Sequence, residues 1–141
     1  MSGRAESFAN ILAQEEVLDH AKHPRNLGEL PGAAIRYHDE NPLCGDAVTV
    51  FADVLEATGE QPSVGRMTFT GHGCVISQAA ASLLSEHVVG KPFGEIERLE
   101  RAQIEQLLGS SVSVSRVKCA MLSLVALKRG IAQYRRPSDV P

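Results

Sequence analysis

The run from Ala47 to Leu55 constrains this chain more than any other. Val48, Val50, Ala52 and Val54 fall on one side of an extended backbone, and Thr49, Phe51, Asp53 and Leu55 on the other. That alternation predicts a strand with one face turned to a core. Glu56 to Pro62 carries Thr58-Gly59 and reads as a hairpin connection. Val64 to Thr70, with Met67 and Phe69 on one face, is its antiparallel return strand. Upstream, residues 29 to 41 contain Pro31 and Gly32 and read as a loop, with a short strand near Ala34 to Tyr37.

Helical patterns surround this pair. Ser7 to about Lys22 offers Phe8, Ile11, Leu12 and Leu18 on an apolar side, and Pro24 stops it. In Val75 to Val89, Ile76, Ala80, Leu83 and Leu84 share a side, and Gly90 and Pro92 end the helix. Gly94 to Leu108 reads as one or two short charged helices, and Gly109 to Ser115 as a polar loop. The last helix is the most regular, with Ala120, Leu124, Leu127, Ile131 and Tyr134 forming a continuous stripe. Lys128, Arg129, Arg135 and Arg136 gather near its C-terminal end, where cations suit the helix dipole. Residues 1 to 6 are polar and expected to be loose.

A length of 141 residues fits one domain over 1–141 with a substantial core. The net charge of -3 argues against a strongly basic nucleic-acid binder. No apolar run approaches the roughly 18 to 20 residues that cross a bilayer, so no membrane association is expected. No charged-then-apolar leader opens the chain, which favours a cytoplasmic address. Three cysteines, an odd number and far apart, then point to free thiols doing metal or redox chemistry.

The thiols sit in informative places. Asn41-Pro-Leu-Cys-Gly-Asp46 sets Cys44 and Asp46 two residues apart, with Gly45 between them to allow a sharp turn. Both side chains can then lean toward one point, which suits a metal, although a single such pair is also common as a buried thiol beside a turn carboxylate. Cys74 follows Gly71-His72-Gly73 at a predicted helix start, where unsatisfied N–H groups favour a thiolate. Cys119 lies near the start of the last helix, with Arg116 and Lys118 beside it to lower its pKa further. No Cys-x-x-Cys pair exists, so a zinc finger fits poorly. Three thiolates and a weakly committed carboxylate suit Zn²⁺ or an iron–sulfur cluster with one labile corner, a site built for release.

Four motifs in this order resemble the iron–sulfur cluster assembly proteins of the IscU/SufU type, which are similar to the N-terminal domain of NifU. They are Asp19-His20 with Pro24-Arg-Asn-Leu-Gly28, Asn41-Pro-Leu-Cys-Gly-Asp46, Gly73-Cys-Val-Ile-Ser77 and Arg116-Val-Lys-Cys-Ala120, spread from about Val17 to Tyr134. The resemblance implies an α+β fold, a small antiparallel sheet of about three strands covered by helices, with the site at one end. It implies that Cys44, Asp46, Cys74 and Cys119 bind zinc or a nascent, transient cluster of 2Fe-2S type. It also implies a cysteine desulfurase as the sulfur donor to one of these thiols, and apo iron–sulfur proteins or carriers as acceptors.

Two positions depart from the IscU branch. Lys118 stands where that branch carries a histidine ligand, and Ser113-Val-Ser115 replaces a proline-containing segment recognised by an Hsp70-type chaperone, so that partnership is not expected. The SufU branch carries Lys before its third cysteine but usually has a longer segment between the second and third. A protonated Lys118 is no ligand, and is expected to tune Cys119 or pair with Asp46. His72 is either a spare ligand or a solvated turn histidine. Arg116 is either a partner for Asp46 when no metal is bound or a solvated charge. Function therefore reads as a non-enzymatic scaffold, with a zinc-bound sulfurtransferase as the alternative. A cysteine hydrolase built on Cys74 would leave two placed thiols unexplained.

Overall fold

The computed structural model describes residues 15–56 and 60–136. Three strands, β1 (Ile35–Asn41), β2 (Asp46–Leu55) and β3 (Ser63–His72), form an antiparallel sheet in the order β1-β2-β3. Among the described residues five α-helices accompany it. These are α1 (Glu15–Lys22), α2 (Val75–His87), α3 (Phe93–Glu97), α4 (Arg101–Leu108) and the long C-terminal α5 (Val117–Tyr134), which a 3-10 turn over Val114–Arg116 leads into. The fold is α+β, as expected. Phe8, Ile11 and Leu12 of the expected first helix, and Thr58-Gly59 of the β2–β3 connection, lie outside the described residues.

Helices α2 and α5 cover one face of the sheet and meet each other there. The β2 residues Val48, Val50 and Ala52 face them and are buried, as are Met67 and Phe69 of β3. On α5 the stripe of Leu124, Leu127 and Ile131 is fully buried. Each such side chain contributes roughly 1.5–3 kcal/mol of burial. On α2, Ala79, Ala80 and Ala81 are buried beside Ile76 and Leu84, so small side chains let this helix sit close to its neighbours. No helix among the described residues is long and apolar enough to cross a membrane.

The chain segment after α1 ties the layers together. His20 is buried and its Nδ1 lies 2.7 Å from Ser82 Oγ, which also accepts the Arg25 backbone N–H at 2.8 Å. Asn26 adopts a positive φ of 61°, and its Nδ2 donates to Ser85 Oγ at 2.9 Å. Its carbonyl accepts the Phe69 N–H, and the Gly28 N–H donates back to Phe69 O. Pro24-Arg-Asn-Leu-Gly28 thus bonds to α2 on one side and to β3 on the other.

Two expectations need correction. Strand β1 does not stop near Tyr37 but runs to Asn41, paired residue by residue with β2. Its second half hides from an apolar pattern because its side chains are held by polar contacts instead. Asp39 accepts from Arg129 Nη1 at 2.8 Å, and His38 bridges Thr49 and Glu40 at 2.8 and 2.9 Å. The segment from Gly109 to Ser115 is not uniformly polar. Val112 is buried, its N–H donating to Glu105 and its carbonyl accepting from Arg101, both at 2.8 Å.

Candidate metal centre

The extension of β1 matters because it closes a hairpin at one end of the sheet. Asn41 pairs with Asp46, and residues 42–45 form the loop between them. The Asn41 carbonyl accepts the N–H groups of Cys44 at 3.2 Å and Gly45 at 2.9 Å, and Gly45 turns the chain with φ 78°. Cys44 is left exposed at the tip, while Asp46, the first residue of β2, points into the protein and is 5% exposed. Cys74 follows the end of β3 as the N-cap of α2, half-buried, its carbonyl accepting from Gln78 N–H and Ser77 Oγ. Cys119 is the third residue of α5 and is 4% exposed.

These elements bring donors from two distant stretches together. Cys44 Sγ lies 3.7 Å from Cys119 Sγ, and one donor atom each of Cys44, Asp46 and Cys119 fall within 4.8 Å of one another. Cys74 is outside that tight group, yet near enough for its charge to act on Cys119. Asp46 Oδ2 is buried without a hydrogen-bond partner. An orphaned buried carboxyl oxygen is costly, by about 1–3 kcal/mol, so some ligand is the natural complement to it. Gly73 makes the room: a Cβ there would stand 2.9 Å from the Asp46 carboxyl and 2.3 Å from Ser77 Oγ. Sulfur and carboxylate donors with an unfilled oxygen are the donor set of zinc or of an iron–sulfur centre. Gly73 belongs to the Gly73-Cys-Val-Ile-Ser77 motif, but its role as a seat for Asp46 has no sequence signal, because it depends on a contact across the fold.

Cys119 corrects a further expectation. Its thiol is pushed up from the ordinary range rather than down, first by burial, then by hydrogen bonding to Asp46, by the charge of Cys74 and by hydrogen bonding to Cys44. Crowding by acidic groups in a dry pocket outweighs the helix start and the neighbouring cations. Lys118 makes no ion pair with Asp46; it is exposed and lines a groove with Asp39, Glu40 and Asn41. One helical position turns a side chain by about 100°, which is why a residue adjacent to Cys119 faces elsewhere. Arg116 stands half-buried at the end of the 3-10 turn. His72, the last residue of β3, is exposed and outside the donor group.

A thiol held protonated must give up its proton to a metal. Zinc added to metal-free protein in weak buffer should therefore acidify the solution, and affinity should fall as pH is lowered, because protons compete for the same sulfur. Titration with a pH indicator and a competing chelator would read both, and binding with no proton release would contradict this account of Cys119.

Residues 12–139 match the family model for the NifU-like N terminal domain. The chain belongs to that family. Its relatives include the zinc-dependent sulfurtransferase SufU of Bacillus subtilis, 31% identical over 88% of this chain and 92% of that protein. Another is the iron–sulfur cluster assembly scaffold protein IscU of Thermotoga maritima, 30% identical over 90% of this chain and 97% of that protein. In fold, the NifU-like domain superposes on the crystal structure of a nitrogen-fixing NifU-like protein (N-terminal) from Brucella abortus. The TM-score is 0.71, with 18% identity over 93% of this chain and 99% of the other. Within this NifU-like domain the first of the four sequence motifs ties α2 to β3, and the other three carry the thiols on a hairpin loop, a helix N-cap and the first turn of α5.

Proposed function

We propose that this domain is a scaffold on which an iron–sulfur cluster is assembled as cargo and from which it is passed to apo-proteins or carriers. Cys44, Asp46, Cys74 and Cys119 are the ligands in this reading. The observation that carries it is the convergence of one donor atom each of Cys44, Asp46 and Cys119 within 4.8 Å, together with a buried Asp46 oxygen that has no hydrogen-bond partner. A cysteine desulfurase supplies the sulfur: an acceptor thiolate attacks the outer sulfur of the donor persulfide, and the donor thiolate leaves. Of the three thiols Cys44 is the exposed one and the best placed to meet a donor enzyme. Membership of the family and the similarity to the Thermotoga IscU support this reading.

The similarity to the Bacillus SufU and the presence of Lys118 beside Cys119 favour a second reading, a zinc-dependent sulfurtransferase. Zinc would be held by the same four residues and would keep the sulfurs ionised. Anaerobic incubation with iron, cysteine and a desulfurase separates the two. The scaffold gives a coloured, labile cluster that moves to an apo-acceptor. The sulfurtransferase keeps its zinc, raises desulfurase turnover and forms no cluster.

Asp46→Ala tests the acid directly. Loss of the weakest donor should lengthen the lifetime of a bound cluster and slow its transfer. The metal-free variant should melt no lower than its parent, since a buried oxygen without a partner is removed. Unchanged transfer kinetics would count against a role for Asp46 in release.

A further inference from the structure

The two edges of the sheet are treated differently. Along β3 the outer edge is occupied: the 26–28 segment exchanges hydrogen bonds with Phe69, and Val64 N–H donates to Lys91 O while its carbonyl accepts from Gly90. Along β1 no described segment pairs with the outer edge. Its seven residues carry no proline, and their register to β2 is unbroken from Ile35 to Asn41. An edge of this kind exposes every second N–H and C=O; natural proteins blunt it with proline, a bulge, a covering segment or charged side chains, and of these β1 carries only the charges of Arg36, Asp39 and Glu40. Two concavities lie on this same side. One of about 370 Å³ runs between Asp39–Pro42 and the Val117, Met121 and Val125 side of α5. The other, about 410 Å³, lies at Ile35 and Tyr134.

From this we infer that β1 is a pairing edge for a second copy of this chain, the two strands joining antiparallel about His38 into one continuous six-stranded sheet. The order of charge argues for a second copy over an unrelated strand. Arg36, His38 and Glu40 are the exposed outer-face residues of β1. Antiparallel pairing centred on His38 places Arg36 of each copy opposite Glu40 of the other, giving two cross-strand ion pairs. Shifting the register by two residues leaves Glu40 or Arg36 without an opposite charge. Within one chain Arg36 lies over the Phe51 ring, 5.7 Å from its centroid, and has no carboxylate partner among the described residues. The two-fold axis stands perpendicular to the sheet, so helix α5 of each copy flanks the seam on the same face. The grooves of the two copies then face one another in exchanged order. Because β1 ends at the thiol-bearing loop, antiparallel pairing sends the two candidate metal centres to opposite ends of the dimer, both open.

Sedimentation equilibrium of the full chain, metal-free and without other proteins, tests this. A reversible monomer–dimer equilibrium in the micromolar range is expected. Arg36→Glu sets like charges opposite at both symmetric positions and should weaken the dimer roughly tenfold. The double variant Arg36→Glu/Glu40→Arg re-creates both pairs with signs exchanged and should restore it. Circular dichroism checks that each exposed substitution leaves the fold unchanged. A chain that stays monomeric at every concentration overturns the inference, as does a monomer that takes an extended peptide from another protein onto β1. A dimer indifferent to Arg36→Glu, or one not restored by the double variant, overturns the register and the inference with it. Since no metal or sulfur donor is present, these outcomes are independent of the scaffold reading.

Discussion

Cys119→Ser should lower zinc affinity by at least about a hundredfold while leaving the fold intact. Removal of a group that only supports a ligand already costs about 10–100-fold, and Cys119 is more central than that. It lies 3.7 Å from Cys44 Sγ, its donor atom falls within 4.8 Å of one from Asp46, and it feels the charge of Cys74. Serine keeps the size and the buried position but offers a much poorer donor. Competition against a chromophoric chelator measures the loss, and iron–sulfur reconstitution should fail in parallel. Retention of affinity within a few-fold would mean that the cluster of side chains is not a metal site. The same variant separates the hydrolase alternative, in which Cys74 with a His and an Asp would be the one working thiol and Cys119→Ser would be silent.

Gly71→Ala should destabilise the fold by about 3 kcal/mol or more, from steric overlap and backbone strain together. Gly71 sits in β3 opposite Val48 with φ +147°, and a Cβ there would come within 2.1 Å of Ala47 O and 2.9 Å of Val48 Cα. Both neighbours are backbone of the strand that begins with Asp46, so nothing can swivel aside. For a domain of this size the melting temperature should drop by about 10 °C. Gly73→Ala makes the contrast. Its clashes are with the Ser77 hydroxyl and the Asp46 carboxyl, both able to rotate, so the disturbance falls on the site and much less on stability. A melting temperature for Gly71→Ala within a degree or two of the parent would contradict the close strand approach described above.

Much of this protein was legible from local pattern. The alternation from Ala47 to Leu55, the stripe through Leu124, Leu127 and Ile131, and the stops at Pro24 and Gly90 are written at the periods of strand and helix. A buried face must be apolar at that spacing. The second half of β1 was not legible, because Asp39 and His38 are satisfied by Arg129 and Thr49, partners that only the fold supplies. Val112 escaped for the same reason.

At the site the division is just as clear. Local sequence determined that Cys44 and Asp46 share a tight turn and that Cys74 and Cys119 open helices, since Gly45 and the helix starts are matters of neighbouring residues. Only tertiary structure decided that Cys119 meets Cys44 and Asp46 while Cys74 stands just outside, that Lys118 faces away, and that the Cys119 thiol is pushed up. Those outcomes depend on burial and on through-space charge, and neither is a property of any stretch of chain taken alone.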